Sequence, residues 1–498
     1  MTFPIFDYLE QRARLAPDRE AMREVLTDRA VTYGELDERA GRAAGLLATL
    51  GVGAGDRVAI LCRNRIEFFE LLFAVGRLGA ILVPLNWRMP AVELRPLLDD
   101  SRPVLVLTGA EDLVTAETIV ADELVINLDD PGVAGYGARR DAAERHPGRG
   151  PWEAGDCWYL LYTSGTTGLP KAVIQTVGMS LANYVNISGA MDLRPHDTTV
   201  NFLPLFHTAG INLTTLPVLI DGGRVLILPG FDADQIVALI EAAAIDTFFG
   251  VPACYQQISL HPRFEMLALG RVRSWGCGGA PLPDVLIDQF GRRGARVMNG
   301  MGMTETGPTV FLMDAAAVEN KIGSVGKPQV LASVRLVGPD GRDVRRGEAG
   351  ELWLSGPGIT PGYYNRPDAT GAALVDGWLR SGDLGRQDED GYYYIVGRLK
   401  DMYISGGENV YPAEVENVLA GHPDVLEAAV VGVADDRWGE VGQAHLLARP
   451  GHTLPDAAAL AGWCRERLAP YKVPKSFVTV EAFPRTAAGK IQKHLLEN

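Results

Sequence analysis

Cysteine is scarce and scattered: five in 498 residues (Cys62, Cys157, Cys254, Cys277, Cys464), with no CxxC pair and no metal-ligand spacing. That pattern excludes a disulfide-stapled scaffold and a zinc module, and it predicts thiols kept reduced in a cytoplasm. Basic charge is also short. The 47 Lys and Arg against 62 Asp and Glu leave a net charge of −15, which argues against nucleic acid as a partner but leaves room for a local basic pocket. No run is fit to cross a membrane. The most apolar stretch, residues 71–85, is broken by Arg77 and falls short of the roughly 20 residues a bilayer requires. The opening MTFPIFDYLEQRARLAP lacks the basic-then-apolar order of a secretory signal. Internal repeats and low-complexity tracts are missing as well. A cytoplasmic protein with no integral membrane segment is the expectation.

What is present is apolar patterning, 47% of the chain, enough for a large core and more than one domain. Thr32-x-x-Glu35 has capping-box form, and Leu36, Ala40, Ala43, Leu47 and Leu50 follow at helical spacing up to Gly51. RVAIL (57–61) reads as a strand, Asn64 as the cap of a second helix, and AILVPL (80–85) as the next strand. PVLVLTG (103–109), ELVIN (123–127), RVLILP (224–229) and DTFFGVP (246–252) continue the alternation. Such alternation predicts an α/β fold, with parallel sheets carrying helices on both faces. Residues 130–156 are polar and rich in Gly and Pro, a predicted loop. From about Ser333 the period changes to that of a small β subdomain, SVRLVG, GELWLSG and YYYIVGR. DEDG at 388–391 opens like a calcium loop but lacks the later ligands, so a turn is expected. Beyond Lys400 a smaller α+β unit follows, giving domains at 1–399 and 400–498.

Residues 162–173, YTSGTTGLPKAV, carry the strongest chemical signal. An apolar run (158–162) leads into Thr163, Ser164, Thr166 and Thr167, set around Gly165 and Gly168, and Lys171 follows. Glycines let backbone N–H groups approach an anion, hydroxyls donate further bonds, and the lysine adds charge. A Walker A loop is excluded, because Pro170 precedes the lysine and a β-branched segment follows it.

SGTTGLPK resembles the phosphate loop of the adenylate-forming superfamily, which includes acyl-CoA synthetases, peptide-synthetase adenylation domains and luciferases. Six further segments occur in that family's order: PLFHTAG (204–210), GGAP (278–281), GMTET (302–306), SGDLG (381–385), GRLKDMYISGGENVYPAEVE (397–416) and PRTAAGK (484–490). The resemblance spans nearly the whole chain. It implies a large adenylation domain and a small mobile lid, with a hinge at Lys400. It implies ATP and CoA as co-substrates, Mg²⁺ as cofactor and a small carboxylic acid as partner, and it admits a homodimer.

By the same resemblance the phosphate loop holds the β- and γ-phosphates, Glu305 ligates Mg²⁺, and Thr304 bonds the α-phosphate. Taken alone, Thr304-Glu305 is an ordinary helix start. Asp383 and Arg398 take the ribose, while Gly278, Gly279, Ala280, Pro281, Asn299, Gly300, Met301 and Gly302 form the adenine slot. Relatives usually carry an aromatic residue where this chain has Met301, whose sulfur can cover a purine face. Lys490 bridges the acid carboxylate and the α-phosphate, where charge develops during adenylation. His207 gates the passage between acid and thiol. A second departure, KAVIQT with Ala172 and Val177, carries no evident consequence.

The acid pocket is expected from Asn183, His207, Phe249, Gly279, Met301, Gly302 and Met303. Without a Lys or Arg for a second carboxylate, it suits a monocarboxylic acid, hydroxycinnamate- or benzoate-like or a medium-to-long-chain fatty acid. The thiol tunnel is assigned to Ser405, Gly406 and Gly407, with Arg88, Trp438 and Tyr471 as CoA contacts. The alternatives are a fatty acyl-AMP ligase serving a carrier protein and a non-catalytic nucleotide binder. An amino-acid-activating domain would need an aspartate that PLFHTAG lacks, and a luciferase-like oxygenase shares the motifs.

Overall fold

The computed structural model describes residues 4–120, 124–163, 170–280, 282–485 and 491–496. Two sheets dominate the first three hundred residues. One is six-stranded, in the order Val125–Asn127, Leu105–Thr108, Arg57–Leu61, Ile81–Pro84, Cys157–Thr163, Lys171–Thr176. All its pairs are parallel except the last, a hairpin whose two arms flank the glycine-threonine loop. The other is nine-stranded. Its middle, Val297–Gly302, Ser274–Cys277, Thr247–Gly250, Thr198–Asn201 and Arg224–Ile227, is parallel, and antiparallel strands close both edges. Helices packed on both faces leave these central strands mostly buried, polar residues such as Thr199, Asn201 and Thr247 included.

Helix Ile66–Leu78 is buried on nearly every side, and it joins residues of both sheets in one core. Its buried charges, Glu67, Glu70 and Arg77, are met by ion pairs with Arg29, Arg140 and Asp7, so every side of the helix can be covered. The capping box at Thr32 and Glu35 starts helix Tyr33–Thr49 as the sequence predicts. Asn64 does not cap the next helix. Arg65 takes that position without a side-chain bond, while the Asn64 amide donates to Asn201 Oδ1 at 2.7 Å and Leu203 O at 2.8 Å. The segment read as loop, 130–156, contains helix Tyr136–Ala142. Its Tyr136 hydroxyl and Arg140 both donate to buried Glu70, at 3.0 and 2.9 Å. That anchor lies far away in sequence and overrides the local composition.

A five-stranded antiparallel sheet follows, built on Ser333–Val337, Gly350–Ser355, Trp378–Gln387 and Tyr393–Arg398. DEDG is a turn, with Asp388 and Asp390 held by Lys321 at 2.8 and 2.5 Å. The last hundred residues build a separate sheet around Val425–Asp435 and Gly439–Ala448. Helices Pro412–Ala420 and Ala457–Arg465 cover it, with a core of their own. Among the described residues, no helix is long and apolar enough to cross a membrane.

Candidate active site

The phosphate-loop residues Ser164, Gly165, Thr166, Thr167 and Gly168 lie outside the described residues, as do Pro281 and Lys490. The stems of that loop are described. Thr163 and Lys171 are register partners closing the hairpin, and the Thr163 hydroxyl donates to Lys171 O at 3.4 Å. The ammonium of Lys171 stands 5.4 Å from the centre of the Tyr363 ring.

Tyr363 links that stem to the acidic centre. Its hydroxyl donates to Glu305 Oε1 at 3.0 Å, and burial together with the Glu305 charge pushes the phenol up from its usual range. Glu305 is 8% exposed and sits in a single 3₁₀ turn, Thr304–Thr306. Gln175 donates to Thr304 O at 2.8 Å, and Thr360 N donates to Glu305 O at 2.8 Å. The Thr360 hydroxyl reaches Ile174 O at 2.7 Å, and Tyr364 N reaches Ala172 O at 2.8 Å. Residues 360–364 therefore clamp the strand leaving the phosphate loop to the turn that carries Glu305. Tyr363 was not singled out from the sequence. The turn-rich run PGYYNRPD marks its surroundings but not which tyrosine turns inward.

Among the described residues, no three His, Cys, Asp or Glu side chains cluster as a metal cage. One buried carboxylate beside the stem of the glycine-threonine loop would suit a metal that draws its other ligands from water and phosphate. Mg²⁺ binds that way, so the residues present fit it.

Asp383 and Arg398 face each other across strands Trp378–Gln387 and Tyr393–Arg398, and their side chains pair at 3.0 Å. Asp383 is buried and Arg398 exposed, so the carboxylate is held within a strand rather than in a turn. Gly278, Gly279 and Ala280 leave the end of strand Ser274–Cys277, with Gly279 at φ +85°. Gly300 and Gly302 are required by close approach: a Cβ on Gly300 would meet Phe311 O at 2.8 Å, and one on Gly302 would collide with Pro308. Asn299 donates to Ser324 O at 3.3 Å. Met301 and Met303 pack beside Val310 and Phe311 at the edge of the β subdomain.

On the acid side, Asn183 is already engaged. Its amide donates to Asn212 O, and its oxygen accepts from Thr309 N at 3.2 Å. It braces helix Val177–Ala190 against the segment after GMTET. His207 lies against Phe206, ring centres 4.8 Å apart, just before a buried π-helical turn, Ala209–Leu213. Such turns recur at functional sites. Nearby, the Arg63 and Arg88 guanidinium groups stand 3.6 and 4.7 Å from the Trp87 ring. Burial and the neighbouring Arg63 charge lower the Arg88 pKa from its usual value.

The lid residues stand apart from this site. Ser405 ends strand Tyr403–Ser405, and Gly406 and Gly407, at φ +62° and +88°, turn into Glu408–Val410. Ser405 is buried, but both glycines, Glu408 and Asn409 face solvent. Trp438 and Tyr471 are 41% and 37% exposed. Lys400 is exposed in the turn after strand Tyr393–Arg398. The lid touches the large unit elsewhere, through Asn417 to Asp284 Oδ2 at 2.8 Å and Gln256 to Leu426 O at 3.1 Å. A cavity of about 340 Å³ lies between them.

Residues 9–364 match the family model described as AMP-binding enzyme, and residues 414–490 match its C-terminal domain. A feruloyl-CoA synthase of Amycolatopsis sp is 43% identical, over 97% of this chain and 96% of that protein. The long-chain-fatty-acid–CoA ligase FadD13 of Mycobacterium tuberculosis is 36% identical, over 98% and 97%. Among solved structures, o-succinylbenzoate CoA synthetase of Bacillus subtilis, in complex with its acyl-adenylate intermediate, superposes with a TM-score of 0.89. It is 32% identical and covers 100% of this chain and 99% of its own.

Proposed function

The chain belongs to the AMP-binding enzyme family, and from that premise we propose that its site joins a monocarboxylic acid to CoA by way of an acyl-adenylate. A carboxylate does not react with a thiol at neutral pH, because its oxygen is a poor leaving group. In the first step that oxygen attacks the α-phosphorus of ATP, a new P–O bond forms and pyrophosphate departs. In the second, the CoA sulfur attacks the acyl carbon, loses its proton, and AMP leaves. Catalysis of phosphoryl transfer is mostly positioning and charge neutralisation.

The single observation that carries the reading is the buried Glu305, oriented by Tyr363 and bound through residues 360–364 to the phosphate-loop strand. Glu305 is the residue that would hold Mg²⁺, which when bound neutralises phosphate charge. Thr304 and the loop hydroxyls donate to the phosphates. Asp383 accepts from the ribose hydroxyls, and Arg398 keeps its carboxylate oriented. Lys490 faces the reacting carboxylate and α-phosphate during adenylation, while His207 borders the path of the thiol. The solvent-facing Gly406–Gly407 turn lines that path only after the lid turns about Lys400. A cytoplasmic setting belongs to the same reading, supported by free thiols that are mostly buried, with Cys62 and Cys254 pushed up to about 12 by burial.

The relatives act on aromatic and on fatty acids, and both remain the substrate classes proposed. Pyrophosphate release, followed across a panel of carboxylic acids with and without CoA, tests the reading. Release with an acid, completed to its thioester when CoA is added, is expected. ATP binding without release from any acid would sink it.

A further inference from the structure

Strand Val425–Asp435 lies at an edge of the lid sheet, and its two faces carry different partners. Ala428 and Val430 point into the core beneath helices Pro412–Ala420 and Ala457–Arg465. Ala429 and Val431 pack instead against Phe483, Ile491 and Leu496, near the end of the chain. The tail is thus a third layer, laid on the face of the sheet that the helices leave open. Arg485 and Ile491 form an antiparallel bridge within it, and Gln492 N donates to Pro484 O at 2.8 Å. This bridge brackets residues 486–490, the segment to which Lys490 belongs.

One carboxylate grips each side of the bridge. Arg485 pairs with Glu427 before the segment. After it, the Lys493 ammonium pairs with Glu416 Oε1 at 2.5 Å. The same oxygen accepts from Val430 N at 2.7 Å, an outward donor of the edge strand. Lid helix, edge strand and tail therefore converge on Glu416.

The residues next to these carboxylates face the large unit. Asn417, beside Glu416, donates to Asp284 Oδ2 at 2.8 Å, and Leu426 O, beside Glu427, accepts from Gln256 at 3.1 Å. Asp284 opens the helix Asp284–Gly291, a few residues after Gly278, Gly279 and Ala280. Gln256 lies in helix Pro252–Ser259, whose Tyr255 hydroxyl donates to Gly276 O at 2.6 Å, on the strand leading to the same glycines. Both mounts sit on elements that border the adenine slot proposed above, and one peptide bond separates each mount from its carboxylate.

We propose that Glu416 and Glu427 are positioning residues for adenylation: they hold both sides of the 486–490 segment on the lid, while Asn417 and Leu426 set the lid against the nucleotide. This rests on the reading of the site as an acid–CoA ligase in which Lys490 serves the first step. Lysine is a point charge on a flexible stem, so its placement depends on the backbone that carries it. Misplacing a reacting group by about 1 Å can cost on the order of 10²-fold in rate. Ion pairs near the surface contribute little to stability, so losing either one should show in rate rather than in melting temperature. The thioester step, which does not use Lys490 on this reading, is the internal control.

The test measures two half-reactions of the full chain, using benzoate, cinnamate and decanoate and the acyl-adenylate of the best of them. One is pyrophosphate release with ATP; the other is capture of the supplied adenylate by CoA. Glu416→Gln and Glu427→Gln should each lower release by about 10-fold, with capture and melting temperature near wild type. Exchanging the charges, Glu427→Arg with Arg485→Glu, should recover most of that loss. If Glu416→Gln does not fold, Lys493→Gln removes the same ion pair from the tail side. Equal loss in both steps, release unmoved in folded variants, or an exchanged pair no faster than Glu427→Gln overturns the inference while the ligase reading stands. A wild type that releases pyrophosphate with no carboxylic acid overturns the ligase reading itself, and this inference with it.

Discussion

Around Glu305 the chain is tied down on every side. Tyr363 bonds its carboxylate, Thr360 its carbonyl, and Gln175 the carbonyl before it. Around Gly407, no described residue comes within 4 Å of where a side chain would begin, and the turn stands in solvent. Gly406 is bonded within the lid, its N–H donating to Trp438 O at 2.9 Å. One region is assembled in advance; on the function proposed above, the other comes into use only when the lid changes position. Preorganised dipoles serve a step in which charge develops, whereas a thiol that arrives second needs a path opened after the first product has gone. Adenylation and thioester formation should therefore separate under mutation.

The largest separation is expected from Lys490→Ala, which should cut pyrophosphate release by roughly 10²–10³-fold, the scale of a lost transition-state contact. Capture of a supplied acyl-adenylate by CoA should stay near wild type. Equal loss in both steps would break the comparison. Next comes Gly407→Leu, where adenylate should still form while thioester formation falls by about 10-fold or more, as misplacement of reacting groups costs. The position has φ +88°, so Gly407→Asn, which tolerates that conformation, separates strain from obstruction. It should cost less than the leucine.

Tyr363→Phe sharpens the other side. Losing a hydrogen bond to a buried carboxylate should raise the half-saturating Mg²⁺ concentration by about 10-fold, and Mn²⁺ binding followed by electron paramagnetic resonance should weaken in parallel. An unchanged metal affinity would reduce Tyr363 to packing. The smallest effect is assigned to Asn417→Ala, which removes the bond to Asp284 across the lid contact. The ratio of the two half-reaction rates should change by about 2- to 5-fold, the worth of one partly exposed hydrogen bond. Stopped-flow measurement of each step reads it.

Local signals served well where the physics was local. The Thr32–Glu35 capping box, strand Arg57–Leu61 and the change of period at Ser333 are properties of adjacent residues, and the structure bears each out. Asn64 and the helix Tyr136–Ala142 were misread because their partners, Asn201 and Glu70, are distant in sequence. The same holds at the site. Glu305 and Asp383 stood out through the motifs around them. Tyr363 did not, since its role depends on which of two adjacent tyrosines reaches Glu305.

The sequence by itself determined the α/β class, the family and the chemical inventory, because spacing along the chain records helical and strand periods and the order of short motifs. Only the tertiary structure decided that residues 360–364 clamp the phosphate strand to Glu305, that Glu416 and Glu427 pair with Lys493 and Arg485, and that the lid glycines face solvent. The first two are contacts between segments apart in the chain, and the third is the lack of one. Their geometry is set by close packing and by the need to satisfy buried polar groups, and neither requirement is written in any single stretch of residues.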